Sequence, residues 1–215
     1  RVYRVAVLVS GSGTNLQGLI DAAARGTVNC RIVKVISDRS GAYALERARQ
    51  TGIPAEVVSR SKHGSSLSDH ILAALPPGVD IIVLAGFLSI LRGEILERFR
   101  GRIINIHPAL LPDFGGAGMY GVHVHRAVLE SGRRETGCSV HIVDEGTDTG
   151  PVLVQSRVPV EDGDTPESLA RRVQAVEHET LITGLRTLAA RLGLTADPAA
   201  GGAASEEQHK QGERT

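Results

Sequence analysis

The feature that most constrains this chain is its opening. Val5-Ala6-Val7-Leu8-Val9 is an unbroken apolar run with the length of a strand buried on both faces, and it passes directly into Ser10-Gly11-Ser12-Gly13-Thr14-Asn15. Leu16, Leu19, Ile20 and Ala23 then recur at helical spacing. A strand, a glycine-rich turn and a helix N-terminus in immediate succession predict an α/β unit with a cradle for an anion. Gly11 and Gly13 permit positive φ and close approach of backbone, while free amides and the positive end of the helix dipole attract negative charge. The run is not a G-x-G-x-x-G dinucleotide fingerprint, since position 16 is Leu, and no Gly-Lys-Ser/Thr closes it as a Walker loop. A monophosphate is the expected ligand, and Thr14 and Asn15 add side-chain donors.

The rest of the chain repeats the alternation. Strand-like runs fall at 3–9, 31–36, 55–58, 80–85, 102–107, 138–143 and 152–158, and helical patterns near 15–25, 42–51, 65–75, 93–99, 123–131 and 167–192. This order predicts a doubly wound, mainly parallel sheet flanked by helices, with a long C-terminal helix and a switch point where the chain jumps from the first strand to the run at 80–85. The carboxyl ends of the first, fourth and fifth strands would then meet at one crevice. In Arg102-Ile103-Ile104-Asn105-Ile106-His107, alternation puts Asn105 and His107 on one side and Ile106 on the other, so an amide and an imidazole face that crevice together. Asp148 adds a carboxylate suited to acyl chemistry. Thr165-Pro166-Glu167-Ser168 reads as a helix start, and within that helix Gln174 and Glu177 share a face.

Composition narrows the partners. Lys plus Arg and Asp plus Glu number 24 each, so the balance favours neither nucleic acid nor an anionic membrane, and small-molecule substrates are expected. No apolar run approaches the length of a membrane span and no signal-peptide pattern precedes the first strand, from which a cytoplasmic location is expected. Cys30 and Cys138 lack C-x-x-C spacing and read as reduced, buried thiols. His123, His125, His141 and His107 match no metal signature, and no metal is expected. Residues 1–193 are expected to form one catalytic domain and the Ala/Gly-rich, charged stretch 194–215 a disordered tail. The glycines of Phe114-Gly115-Gly116-Ala117-Gly118-Met119-Tyr120-Gly121 suggest a mobile lid just after the catalytic strand.

These segments together resemble the folate-dependent glycinamide ribonucleotide formyltransferases of purine biosynthesis. The resemblance spans roughly residues 3 to 190. It rests on Ser-Gly-Ser-Gly-Thr-Asn at 10–15, Leu-Glu-Arg-Ala-Arg at 45–49, Leu-Ala-Gly-Phe at 84–87, Asn-Ile-His-Pro-Ala-Leu-Leu-Pro at 105–112, Ser-Val-His-Ile-Val at 139–143, Asp-Thr-Gly-Pro at 148–151 and Arg-Val-Gln-Ala-Val-Glu-His at 172–178. It implies a Rossmann-like formyltransferase fold and an enzyme, a monomer or homodimer, that moves the formyl group of its co-substrate 10-formyltetrahydrofolate to the amine of 5-phosphoribosyl-glycinamide. It implies that Asn105, His107 and Asp148 are catalytic, and that Gly13, Thr14, Asn15, Gln174 and Glu177 hold the ribonucleotide. The folate pocket would comprise Leu88, Ser89, Ile90, Leu91, Leu96 and Asn105 with the segment Asp144, Glu145, Gly146, Thr147 and Asp148; His141 would border the site.

Such a transfer passes through a tetrahedral species with negative charge growing on oxygen, so preorganised donors should dominate catalysis. The expectation is that the Asn105 amide and a protonated His107 both face that oxygen, with Asp148 favouring the imidazolium. The chain departs from the family pattern at Ser89, where an arginine is usual, and around 60–66, where Arg60 and Lys62 beside Ser65 are imperfect substitutes for another. The 114–121 loop is also longer. Weaker electrostatic capture of an anionic folate tail is therefore expected. Methionyl-tRNA formyltransferase and formyl-folate hydrolase are the neighbouring enzyme readings, both disfavoured by the phosphate loop; a binding module without chemistry would not require the Asn105, His107 and Asp148 set.

Overall fold

The computed structural model describes residues 1–195. Seven strands form one sheet: β1 (Tyr3–Val9), β2 (Cys30–Ser37), β3 (Ala55–Val57), β4 (Ile81–Leu84), β5 (Ile103–His107), β6 (Glu135–Ile142) and β7 (Val152–Pro159). The helices are α1 (Thr14–Ala24), α2 (Ala44–Gln50), α3 (Arg60–His63), α4 (Leu67–Ala74), α5 (Glu94–Arg98), α6 (Val122–Glu130) and α7 (Pro166–Arg191). The strand order is β3-β2-β1-β4-β5-β6-β7. β1 pairs in parallel with both β2 and β4, which fixes the switch point between β1 and β4 as the sequence predicts. β5 is the last parallel strand; β6 runs antiparallel to it, and β7 antiparallel to β6.

Alternation along the central strands feeds two cores. Val5, Val7 and Val9 of β1, with Ile104 and Ile106 of β5, pack against α1, α2 and α7, while Ala6, Leu8 and Ile103 face α4 and α5. Asn105 and His107 share the parity of Ile103, so they leave the sheet on the α4/α5 face at its carboxyl edge. Cross-strand register adds His141 opposite Asn105 and Ser139 opposite His107 on that face. The elements expected to hold the ribonucleotide, α1 and α7, lie on the other face.

The long helix begins as read. Thr165 accepts from the Ser168 amide, the Ser168 hydroxyl accepts from the Thr165 amide, and Pro166 occupies the first turn. Three details differ from the sequence reading. A short helix, α3, and a 3-10 turn at Gly64–Ser66 precede α4, too brief to carry a periodic signal. β6 starts at Glu135, earlier than the apolar run indicated, because its first residues pair with β7 rather than with the core. Leu194, placed in the expected tail, packs against the core; from residue 196 onward that tail lies outside the described residues. Among the described residues, no helix is long and apolar enough to cross a membrane. Cys30 and Cys138 are buried free thiols, both pushed up to about 11 by burial.

Candidate active site

The anion cradle forms where β1 ends. Gly13 adopts φ 74° at the N-cap of α1, and a Cβ there would lie 2.6 Å from the Ala44 Cβ, so only glycine fits both the dihedral and the contact with α2. The α1 start has no side-chain cap, which leaves its first amides free. α7 closes the cradle from the side. Gln174 Nε2 donates to Thr14 Oγ1 at 3.1 Å, and Asn15 Nδ2 donates to Glu177 Oε2 at 2.9 Å, so the two residues expected to share a helix face both reach the α1 start. Burial raises the Glu177 carboxyl above its usual range despite the opposing Asn15 hydrogen bond and nearby His178. Asn15 Oδ1 is buried without a partner, an acceptor facing the same corner.

On the other face, Asn105, His107, His141 and Asp148 converge. His107 is 3% exposed and His141 2%. His107 Nε2 lies 2.8 Å from the Phe114 carbonyl, which can only accept, so Nε2 carries a hydrogen. His107 Nδ1 faces Asp148 Oδ2 at 3.5 Å. Asp148 Oδ2 also accepts from the Gly116 amide at 3.0 Å. His141 Nε2 sits 3.1 Å from Asn105 Nδ2 and 3.4 Å from Asp148 Oδ1. One nitrogen thus serves either neighbour: bare, it accepts from Asn105; protonated, it donates to Asp148.

The electrostatics correct one expectation. Burial pushes the His107 imidazole below its ordinary value, and it outweighs the upward pull of Asp148 and of the Phe114 carbonyl; His141 adds a further downward push. Burial thus favours the uncharged imidazole of His107, where the sequence pointed only to the opposing pull of Asp148 toward the imidazolium. For Asp148, burial works against ionisation, yet the neighbouring His141 and His107 and the Gly116 amide together hold the carboxyl below the usual range. An ionised carboxylate beside a neutral imidazole is poised to stabilise a proton arriving at Nδ1. Nor does either donor stand free: the Asn105 amide meets His141 and the His107 N–H meets Phe114.

The glycine-rich loop makes those contacts. Phe114 and Asp148 are the two non-glycine residues at positive φ among the described residues, 55° and 58°. A Cβ on Gly115 would fall 2.6 Å from Leu111 Cδ2 and 3.2 Å from Asp148 Cβ, so the start of the loop lies directly on the carboxylate. The segment before it is held by Ser139 Oγ, which accepts from the Leu111 amide at 3.0 Å and donates to the Ala109 carbonyl at 2.7 Å, and by Gln155 Nε2, which donates to the Leu111 carbonyl at 2.9 Å. Ser139 stood in the Ser-Val-His-Ile-Val segment with no role assigned to it, and Gln155 stood in no such segment; their role depends on β6 and β7 being in register with β5.

The residues expected around a folate divide. Leu88 and Ile90 are exposed, at 44% and 49%, whereas Leu91 and Leu96 are buried in the α4/α5 core. The loop bearing them is tied to the cradle by the Leu88 amide, which donates to Ser10 Oγ at 2.9 Å. Ser89 donates to the buried Asp38 carboxylate at 2.5 Å. Asp144 closes its own loop, accepting from the Gly146 amide at 3.0 Å and the Thr149 hydroxyl at 2.7 Å, and so shapes the turn of Glu145, Gly146 and Thr147 that delivers Asp148. Beside Leu88, Ser89 and Ile90 lies a groove also lined by Arg60 and Arg92, neither of which meets a carboxylate among the described residues. Among those residues, no group of three or more His, Cys, Asp or Glu side chains is arranged to hold a metal ion.

Known proteins match this chain over most of its length. A family model described as "Formyl transferase" matches residues 3–185. The phosphoribosylglycinamide formyltransferase of Escherichia coli (strain K12) is 40% identical over 180 residues, covering 81% of this chain and 81% of the bacterial one. The trifunctional purine biosynthetic protein adenosine-3 of Gallus gallus is 42% identical over 191 residues, 86% of this chain; the chain spans only 18% of that relative's length. The crystal structure of phosphoribosylglycinamide formyltransferase from Brucella melitensis superposes with a TM-score of 0.80 at 42% identity, covering 88% of this chain and 97% of that one.

Proposed function

The chain belongs to the formyl transferase family, among its phosphoribosylglycinamide formyltransferases, and from that premise we propose that it transfers the formyl group of 10-formyltetrahydrofolate to the amine of 5-phosphoribosyl-glycinamide, in purine biosynthesis. The observation that carries this reading is the meeting of Asn105, His107 and Asp148 with an amide cradle at one sheet edge, the cradle and the acyl-transfer groups on opposite faces. One substrate is anchored by its phosphate at Gly13, Thr14 and Asn15, with Gln174 and Glu177 beside its sugar. Its amine then reaches across the edge toward His107.

The substrate amine forms the new C–N bond and the old C–N bond to the folate nitrogen breaks. One proton leaves the attacking nitrogen and one is gained by the departing nitrogen. Negative charge on the formyl oxygen between these events calls for donors, and two are at hand once their present partners give way: the Asn105 amide and the His107 Nε2–H now held by Phe114. A proton taken at His107 Nδ1 lies beside Asp148, so the imidazolium forms where it is stabilised and still donates through Nε2. The 114–121 loop acts as a lid whose Phe114 carbonyl is exchanged for the reacting oxygen. The formyl donor takes the Leu88–Leu91 loop and the Asp144–Asp148 turn, and its anionic tail takes the groove with Arg60 and Arg92. We place the enzyme in the cytoplasm, as a monomer or homodimer.

Purified protein mixed with both substrates, with folate product followed by absorbance, tests the assignment. Product should form only when the ribonucleotide is present. Formate release without it would indicate a hydrolase, and no reaction of the folded protein with both substrates would refute the assignment.

A further inference from the structure

The Leu45-Glu46-Arg47-Ala48-Arg49 segment carries no role in the chemistry above, yet one of its arginines touches the anion cradle. α2 presents two donors to the back of the glycine-rich turn. The Ala44 amide donates to the Gly11 carbonyl at 3.1 Å, and Arg47 Nε donates to the Ser12 carbonyl at 2.8 Å. In a planar trans peptide the C=O and N–H of one unit point in opposite directions. Turning the Gly11 and Ser12 carbonyls toward α2 therefore turns the Ser12 and Gly13 amides away from it. Among the described residues neither amide donates to a backbone or side-chain acceptor, so two successive N–H groups are left for an anion.

The guanidinium is itself fixed. Arg47 Nη1 donates to Gln17 Oε1 at 3.3 Å, and its guanidinium carbon lies 5.1 Å from the centre of the Tyr43 ring. All of these partners are neutral, and no carboxylate pairs with Arg47 among the described residues, in contrast to Arg49, which pairs with Glu46. The side chain also packs where Gly13 has no Cβ: an added one would meet Arg47 Cδ at 3.3 Å. An uncompensated positive charge is thereby held against the cradle by groups that cannot neutralise it.

We propose that Arg47 is a positioning residue for the substrate phosphate: through Ser12 it sets the peptide plane that presents the Gly13 amide, and its charge attracts the dianion. This rests on the proposed function, in which the cradle holds the ribonucleotide phosphate. The discriminating probe is the substrate with and without its 5′-phosphate. In R47M, kcat/KM for the phosphorylated substrate should fall about tenfold or more through KM, the size expected for losing a hydrogen-bonded contact to a charged group. For the same compound lacking phosphate, kcat/KM should be unchanged, as should KM for the formyl donor. R49Q, on the same helix, should match wild type throughout. Equal losses for both substrates, or none for either, would overturn the role, and R47Q carries the same comparison if R47M proves unstable. If wild type transfers no formyl group, the proposed function fails and this inference with it; if wild type is active but R47M keeps its preference for phosphate, this inference alone fails.

Discussion

The two halves of the crevice are built differently. On the α1/α7 face, Gln174 meets Thr14 and Glu177 meets Asn15 between secondary-structure elements, and the free amides belong to a helix start whose orientation the sheet fixes. On the β5/β6 face, the groups suited to chemistry are spent on one another or on a loop: Asn105 with His141, His107 with the Phe114 carbonyl, Asp148 with the Gly116 amide. The first face offers uncapped backbone amides to an anion as it stands, although its side chains are paired with one another. The second must exchange internal hydrogen bonds for substrate ones, so its interactions are realised as the reaction proceeds. That division suits an enzyme that spends anchoring energy on binding and keeps its donors for the transition state.

Mutations should separate the halves by which constant they change. The largest effect is expected for Asn105→Ala: removal of one oxyanion donor should cost about a hundredfold to a thousandfold in kcat, with both KM values changing little, as read by steady-state kinetics. A comparable rise in KM without loss of kcat would move Asn105 to the binding half. Glu177→Gln should do the converse, raising KM for the ribonucleotide about tenfold while kcat stays within about twofold, because it weakens an anchor rather than a reacting group. A drop in kcat alone would erase the distinction between the faces.

Titration gives a third test, with a definite sign. The Asp148 charge pulls the His107 pKa up against burial, so Asp148→Asn should make His107 titrate at a still lower pH than in wild type, followed by NMR of its ring protons. Because His107 is depressed when folded, its neutral form contributes stability that is fully present above the ordinary histidine value and is lost as pH falls through the folded value. An upward move in the variant would mean that Asp148 does not face the imidazole in solution. The smallest effect belongs to the groove edge. Arg60 and Arg92 should give each added glutamate on the formyl donor no more than about a twofold gain in affinity, vanishing at high salt, since exposed pairs contribute little. A steep, salt-resistant dependence would show a buried anion site instead.

The two halves also differ in how far the sequence exposes them. The cradle is local: apolar run, glycine turn and helical spacing are contiguous, and the helix period puts Gln174 and Glu177 on one face, both of which reach the α1 start. Asn105 and His107 were legible as a pair because strand alternation is equally local. Their hydrogen-bond partners were not, since His141 was expected only to border the site and Phe114 had no assigned contact. His141 reaches Asn105 through antiparallel register across β5 and β6, and Phe114 reaches His107 through a loop at positive φ, neither of which leaves a periodic trace. The sign of the His107 shift was missed for the same reason. A neighbouring carboxylate can be guessed from a motif, whereas burial is a property of the packed sheet, and here burial wins. Arg47 stood in a recognisable segment, yet its contact with the Ser12 carbonyl depends on the turn geometry at Gly13.

The most direct test of the role of Asp148 is formyl transfer by the Asp148→Asn enzyme, measured at saturating concentrations of both substrates across pH. A fall in kcat of at least about a hundredfold is expected, with both KM values within a few-fold of wild type, because the carboxylate acts on the imidazolium formed during the reaction and not on either bound substrate. Turnover equal to wild type, with the same pH profile, would contradict it.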